Sequence, residues 1–315
     1  MKYILRLIRW QNLLIIIYIF LAFRYCLVGS FFNLYGLGFR LPLVDFILLI
    51  TATVLIAAAG YIINDYFDVE TDKLNQKDPV IGYYFSSNMA IVLYIVLSVI
   101  GLILGSVVSV RIGHPSFSLI FFIAASLLWF YSSSFKQSFL LGNLIVAFLA
   151  SLVPLLIIVY DLLPAMEYYK PEIRTMNINM NIPALWMLGY SAFAFLYTFV
   201  REIVKDIEDS NGDHKRGYKT LAITIGQSAS KILVISLLLI YTVVLIWLFV
   251  KYLNLTLSII YLAVFLVLPS LITMFLVIRA QDKKQFHLIS TALKFIMFLG
   301  ITYSFVVCYI FHTYK

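Results

Sequence analysis

The chain has 315 residues, 63% of them hydrophobic and 12% charged, and its mean hydropathy is +0.99. Soluble domains carry about 25% charged residues, so this composition excludes a soluble fold and predicts an all-α integral membrane protein with many spans. The net charge of +8 is scattered over the segments between apolar runs, which excludes a nucleic-acid-binding surface, and only two cysteines are present, too few for a disulfide framework or a cysteine metal site.

Apolar runs of roughly 18 or more residues mark bilayer-spanning helices. In chain order they fall at about 12–33, 43–66, 87–110, 117–133, 139–160, 183–203, 228–250, 254–278 and 288–312. The first is too long for a signal-peptide core and lacks a small-residue cleavage site, so it reads as a span. Cys26 and Cys308 lie within the first and last runs and read as small buried side chains. Arg24 and Lys294 also fall within runs, where a charge costs roughly 2.5–3.5 kcal/mol at a helix centre. Each is expected to snorkel or to face the interior of the bundle. No segment reads as a linker, so residues 1–315 form one membrane domain.

The second run leads into NDYFDVETD and the sixth into REIVKDIEDSNGD, and these two windows hold most of the fifteen acids. Asp65, Asp68 and Asp72 are spaced three then four, and so are Asp206, Asp209 and Asp213. Steps of three and four place side chains on one helix face. Both clusters end an even-numbered span and therefore share one side of the membrane. A single acidic cluster at a helix end is commonly just solvated. Two with the same spacing on the same side predict hard-cation sites, because Mg2+ is often held by one or two carboxylates, waters and a substrate phosphate. Two such ions facing each other across a cavity would be bridged by a diphosphate.

Basic and amide groups lie beside the acids. Arg201 and Lys205 head the second cluster, Lys136 lies in YSSSFKQ after the fourth span, and Asn64 stands four residues before Asp68. Lys and Arg bind phosphate oxygens well. Arg9 and Asn12 open the first span, and Asn12 is a candidate to face the cavity. Lys and Arg concentrate in the segments that share a side with Arg9, Lys73, Lys136 and Arg201, so the positive-inside rule places that side, with the N-terminus and the acid clusters, in the cytoplasm. An inner (plasma) membrane is the expected location.

These residues resemble the UbiA family of membrane prenyltransferases. The family's first Asp-rich motif is matched by Asn64, Asp68 and Asp72 with Asp65 alongside, its second by Asp206, Asp209 and Asp213, and its Tyr and Lys after the fourth helix by Tyr131 and Lys136. The resemblance implies a helical bundle of about nine spans with a central cavity, a prenyl diphosphate donor and two Mg2+ ions. It assigns the metal to Asn64, Asp65, Asp68, Asp72, Asp206, Asp209 and Asp213. Asn64, Tyr131, Lys136, Asn143, Arg201 and Lys205 fall to the diphosphate, and Asp68, Asp72, Asp206, Asp209 and Lys136 to catalysis. REIVKDIEDSNGDHKRGYKTLAI and KQSFLLGNLIVA, with Asn143 at a Gly-Asn position, are most similar to the branch that builds ether lipids by transfer to geranylgeranylglyceryl phosphate. An aromatic acceptor, such as 4-hydroxybenzoate or a quinone precursor, remains the alternative, and a transporter a remote one. One departure stands out: many members carry Arg-Pro after the first motif, where this chain has Asp78-Pro79, with Lys77 beside it.

Overall fold

A computed structural model describes residues 2–74, 79–253 and 255–313. Among them nine helices are long and apolar enough to cross a membrane. They are α1 (Trp10–Leu34), α2 (Leu43–Leu74), α3 (Ser87–Arg111), α4 (Pro115–Ser133), α5 (Leu141–Tyr168), α6 (Asn181–Lys215), α7 (Leu221–Tyr252), α8 (Thr256–Arg279) and α9 (Lys283–Thr313). Among the described residues no strand forms, only one isolated bridge between Ile81 and Phe85. This is what lipid demands, since a helix satisfies its own backbone hydrogen bonds where water is absent.

All nine expected spans are present, but two continue past their apolar runs. α2 extends to Leu74 and α6 to Lys215, so both acid clusters are helical. The face pattern of Asn64, Asp68 and Asp72 is therefore carried on rigid backbone. α7 begins at Leu221, before the expected 228, and breaks at Gly226, whose φ of 83° is open to glycine.

α2 packs most extensively on α3, and α6 on α5, while α6 also meets α7 and α9 and α1 meets α2, α5 and α9. Lipid gives helices no hydrophobic reason to associate, so close packing must supply it. Gly101 shows how: a Cβ there would lie 2.7 Å from the Ile56 side chain and 3.2 Å from the Ala52 carbonyl. Outward faces stay apolar, with Val92, Ile103, Leu239 and Phe275 all exposed. Cys26 is buried as expected, whereas Cys308 is half-buried and accepts from Ser30 Oγ at 3.1 Å.

Arg24 does not snorkel. It is 2% exposed, its Nη2 donates to the Leu41 carbonyl at 2.6 Å, and its Nε lies 3.6 Å from Asp161 Oδ2. Arg24 sits in a π-helical stretch of α1 (Phe23–Gly29) and Asp161 in one of α5 (Ile158–Leu162). Such widened turns turn side chains off the regular helix face.

Candidate active site

One cavity of about 740 Å³ runs from the acid-bearing end of the bundle into its apolar interior. The twelve residues that the resemblance assigns to metal, diphosphate or catalysis all line it: Asn64, Asp65, Asp68 and Asp72 from α2; Tyr131, Lys136 and Asn143 around the α4–α5 connection; and Arg201, Lys205, Asp206, Asp209 and Asp213 from α6. Deeper in, the walls are Ile56, Phe121, Val153 and Phe193. Lys77 and Asp78 lie outside the described residues.

The α2 cluster is held by three neighbours. Asn64 Nδ2 donates to Asp68 Oδ2 at 2.8 Å, and Lys136 Nζ forms a short ion pair with that same oxygen. Arg9 Nη2 donates to Asp65 Oδ1 at 2.8 Å and stacks over Tyr61. Burial alone would lower the Lys136 pKa, but Asp68, Tyr131 and Asp72 outweigh it and hold the ammonium well above its ordinary value. Burial likewise works against the Arg9 cation, and Asp65 with Tyr61 more than restores it.

On α6, Asp206 Oδ2 accepts from Asn143 Nδ2 at 2.8 Å. Glu202, one turn earlier, accepts from Lys205 at 2.9 Å and from Arg201 at 3.2 Å. Lys283, at the start of α9, stands 4.0 Å from Asp209.

The chain reaches this geometry through a tight connection. A Cβ on Gly142 would come within 2.9 Å of the Phe135 carbonyl and 3.1 Å of the Lys136 Cα. Glycine there lets the 134–140 segment fold onto the start of α5, which delivers Lys136 and Asn143 to the same cavity. Leu140, with φ 65°, is in a left-handed conformation that costs a non-glycine residue of order 1–3 kcal/mol. The segment is pinned by Lys219 N–H, which donates to the Gln137 carbonyl. Across the mouth, Arg216 pairs with Glu70 and donates to Thr71 Oγ1 at 2.6 Å, tying the end of α6 to α2.

The donor set fits a hard divalent cation: carboxylates and amide oxygens, on two helices that face one cavity. Among the described residues no three His, Cys, Asp or Glu side chains converge into a closed cage. Mg2+ keeps waters and shares its coordination with phosphate, so it does not require such a cage.

Sequence reading passed over several groups in the same cavity. Glu202 stood in the second window but outside the three-and-four spacing. Arg6, Thr198 and Thr220 also line the space and have no motif to mark them. Lys294, noted only as a charge within a span, lines it too and donates to Asn12 Oδ1 at 2.6 Å.

The fold and site define a polytopic helical bundle with an acid-rimmed, apolar-floored cavity. The chain belongs to the UbiA prenyltransferase family, whose profile matches residues 25–300. Digeranylgeranylglyceryl phosphate synthase of Sulfolobus acidocaldarius is 34% identical over 182 residues, 57% of this chain and 57% of that relative. The match thus spans little more than half the relative's length. A solved structure of digeranylgeranylglyceryl phosphate synthase in membranes aligns with a TM-score of 0.62 at 22% identity, covering 98% of both chains. A UbiA homolog from Archaeoglobus fulgidus bound to GPP and Mg2+ aligns at 0.59 and 18% identity, covering 97% of this chain and 99% of that one. At these identities the two structures speak to the fold.

Proposed function

We propose that this chain is a Mg2+-dependent membrane prenyltransferase that moves an isoprenoid group from its diphosphate to a lipid acceptor of the glyceryl phosphate type. The observation that carries this reading is the meeting of two equally spaced aspartate faces and Lys136 at the polar mouth of one apolar cavity. Relatives named for digeranylgeranylglyceryl phosphate synthesis, and a neighbour in fold that holds GPP and Mg2+, support it.

In this reading Asn64, Asp65, Asp68 and Asp72 on one wall and Asp206, Asp209 and Asp213 on the other would hold two Mg2+ ions. When bound, the metal supplies positive charge to the donor's diphosphate. Lys136, Tyr131, Asn143, Arg201 and Lys205 grip phosphate oxygens and stabilise the charge that builds as the allylic C–O bond breaks. The electron pair leaves with the diphosphate. The acceptor hydroxyl oxygen forms the new C–O bond, and its proton passes to the departing diphosphate. Apolar walls keep water from the allylic carbon. The whole bundle acts as one unit, with the mouth in the cytoplasm and the helices in the plasma membrane, as the placement of Lys and Arg favours.

The test is transfer by the purified chain in lipid. Labelled geranylgeranyl diphosphate is offered with geranylgeranylglyceryl phosphate or with 4-hydroxybenzoate, in Mg2+ or in chelator. Metal-dependent product with the glyceryl phosphate lipid, lost in Asp68→Ala and Asp209→Ala, is expected. Product with the aromatic acid alone would move the chain to the aromatic-acceptor class. A folded protein that neither binds nor transfers the donor would overturn the reading.

A further inference from the structure

Asn12 on α1 and Lys294 on α9 line the same cavity as the aspartate faces of α2 and α6. Lys294 on α9 donates to Asn12 on α1, and among the described residues no carboxylate forms an ion pair with it. Arg9 and Arg201 line the same cavity as Lys294. Arg9 is matched by Asp65, while Arg201 and Lys205 share Glu202. Four cations are thus set against two carboxylates in this group of side chains, a costly arrangement inside the bundle unless an anion answers it. Nearby hydrogen-bonding capacity is also unspent: the buried Thr198 Oγ1 and the Arg201 Nε have no partner among the described residues, and both residues line the cavity.

An apolar bed continues directly from this cationic end. On α1, Asn12, Ile15, Ile16 and Ile19 all line the cavity. On α9, Lys294, Met297, Phe298 and Ile301 do so with the same steps of three, four and seven. Each set is one helix face, polar at the mouth and apolar below. α1 and α9 both run inward from that mouth and pack together. A slot with a cationic head and two apolar walls fits an amphipathic anion.

We propose that this slot is the acceptor site: Lys294, with Asn12, Arg9 and Arg201, binds the phosphomonoester of a lipid whose chain lies between α1 and α9. It rests on the transferase reading above and adds to it where the acceptor sits and which charge selects it. The donor's diphosphate belongs at the aspartate faces with Lys136. Arg201 stands between the two anions. The slot selects a phosphate-headed lipid over a neutral one, since a neutral head would leave Lys294 unanswered.

The test is equilibrium binding to the purified chain in detergent, followed by intrinsic fluorescence, with geranylgeranylglyceryl phosphate as the probe. Its dephosphorylated alcohol and phosphatidic acid are the comparison ligands. We expect Lys294→Met and Asn12→Leu to weaken probe binding by about tenfold or more, Lys294→Arg to restore most of it, and the alcohol to bind weakly to every form. Binding of geranylgeranyl diphosphate with Mg2+ should change less than twofold or so in the same variants, which also shows that they are folded. Unchanged probe affinity in Lys294→Met, or an equal loss of donor binding, overturns the proposal. Equal affinity for the dephosphorylated alcohol also overturns it, while phosphatidic acid, which carries the same phosphomonoester, should bind with the same dependence on Lys294. Intact probe binding without any transfer would instead sink the transferase reading and leave the site standing.

Discussion

Arg24 on α1 and Asp161 on α5 form an ion pair with 3% and 1% side-chain exposure, buried where both helices widen into π turns. Phe46 and Phe39 cover the guanidinium, 4.0 and 4.4 Å from its carbon to the ring centres. Removing one partner strands a charge. Asp161→Asn should therefore cost about 3–5 kcal/mol of stability, read as a lowered midpoint of thermal unfolding in detergent. Arg24→Met combined with Asp161→Leu should recover most of that loss. A single variant as stable as the parent would show that the pair is not what joins α1 to α5.

Lys136 forms an ion pair with Asp68 in the first aspartate cluster, as Arg9 does with Asp65. Lys136→Met should slow transfer on the order of 100-fold or more, with a smaller loss in Lys136→Arg. The fold raises the pKa of this ammonium above the ordinary 10.5. Its charge is thus fully present below the unfolded value and is lost only as pH climbs through the higher folded one. The rate should show no fall from its deprotonation up to about pH 10. A fall between neutral pH and about pH 9 that disappears in Lys136→Arg would contradict this.

Gly142 has backbone neighbours, which cannot swing aside as a side chain can. Gly142→Val should displace the segment bearing Lys136 and cut transfer by about tenfold to 100-fold, with helix content unchanged by circular dichroism. Full activity would mean that the segment tolerates the shift.

Gly60 lines the cavity, and a Cβ there would meet Leu128 at 2.7 Å. Gly60→Ala should push Leu128 and narrow the apolar interior. The ratio of transfer from geranyl diphosphate to that from geranylgeranyl diphosphate should rise by about fivefold, the order of one methylene-sized steric change in a pocket. An unaltered ratio would place the isoprenoid chain elsewhere in the cavity.

Much of this architecture was legible because it is local. Apolar run length marked nine spans, and the three-and-four spacing of the aspartates already implied one helix face. Helix ends were less legible: hydropathy drops at the acids, yet α2 and α6 continue to Leu74 and Lys215, since a helix can leave the apolar layer without unwinding. Long-range pairs were not legible at all. Lys294 meets Asn12, and Arg24 meets Asp161, across the whole order of the chain. Neither partner carries a pattern that names the other. Within a run each charged residue looked like an isolated expense, and only the packed bundle shows that Arg24 is structural while Lys294 opens on the cavity.

The cavity's polar mouth and apolar floor bear on the traffic of molecules through it. An isoprenoid lipid drawn out into water would lose about 0.8 kcal/mol per methylene, a toll on the order of 10 kcal/mol for a long chain. With Ile16 and Phe298 under the cations and aspartates at the rim, the head can dock while the tail never leaves an oily surrounding. Entry and departure are then sliding motions within the plane of the bilayer. Turnover would depend on lateral diffusion and on the surface density of both substrates in the membrane, with bulk concentration in solution having little hold on the rate.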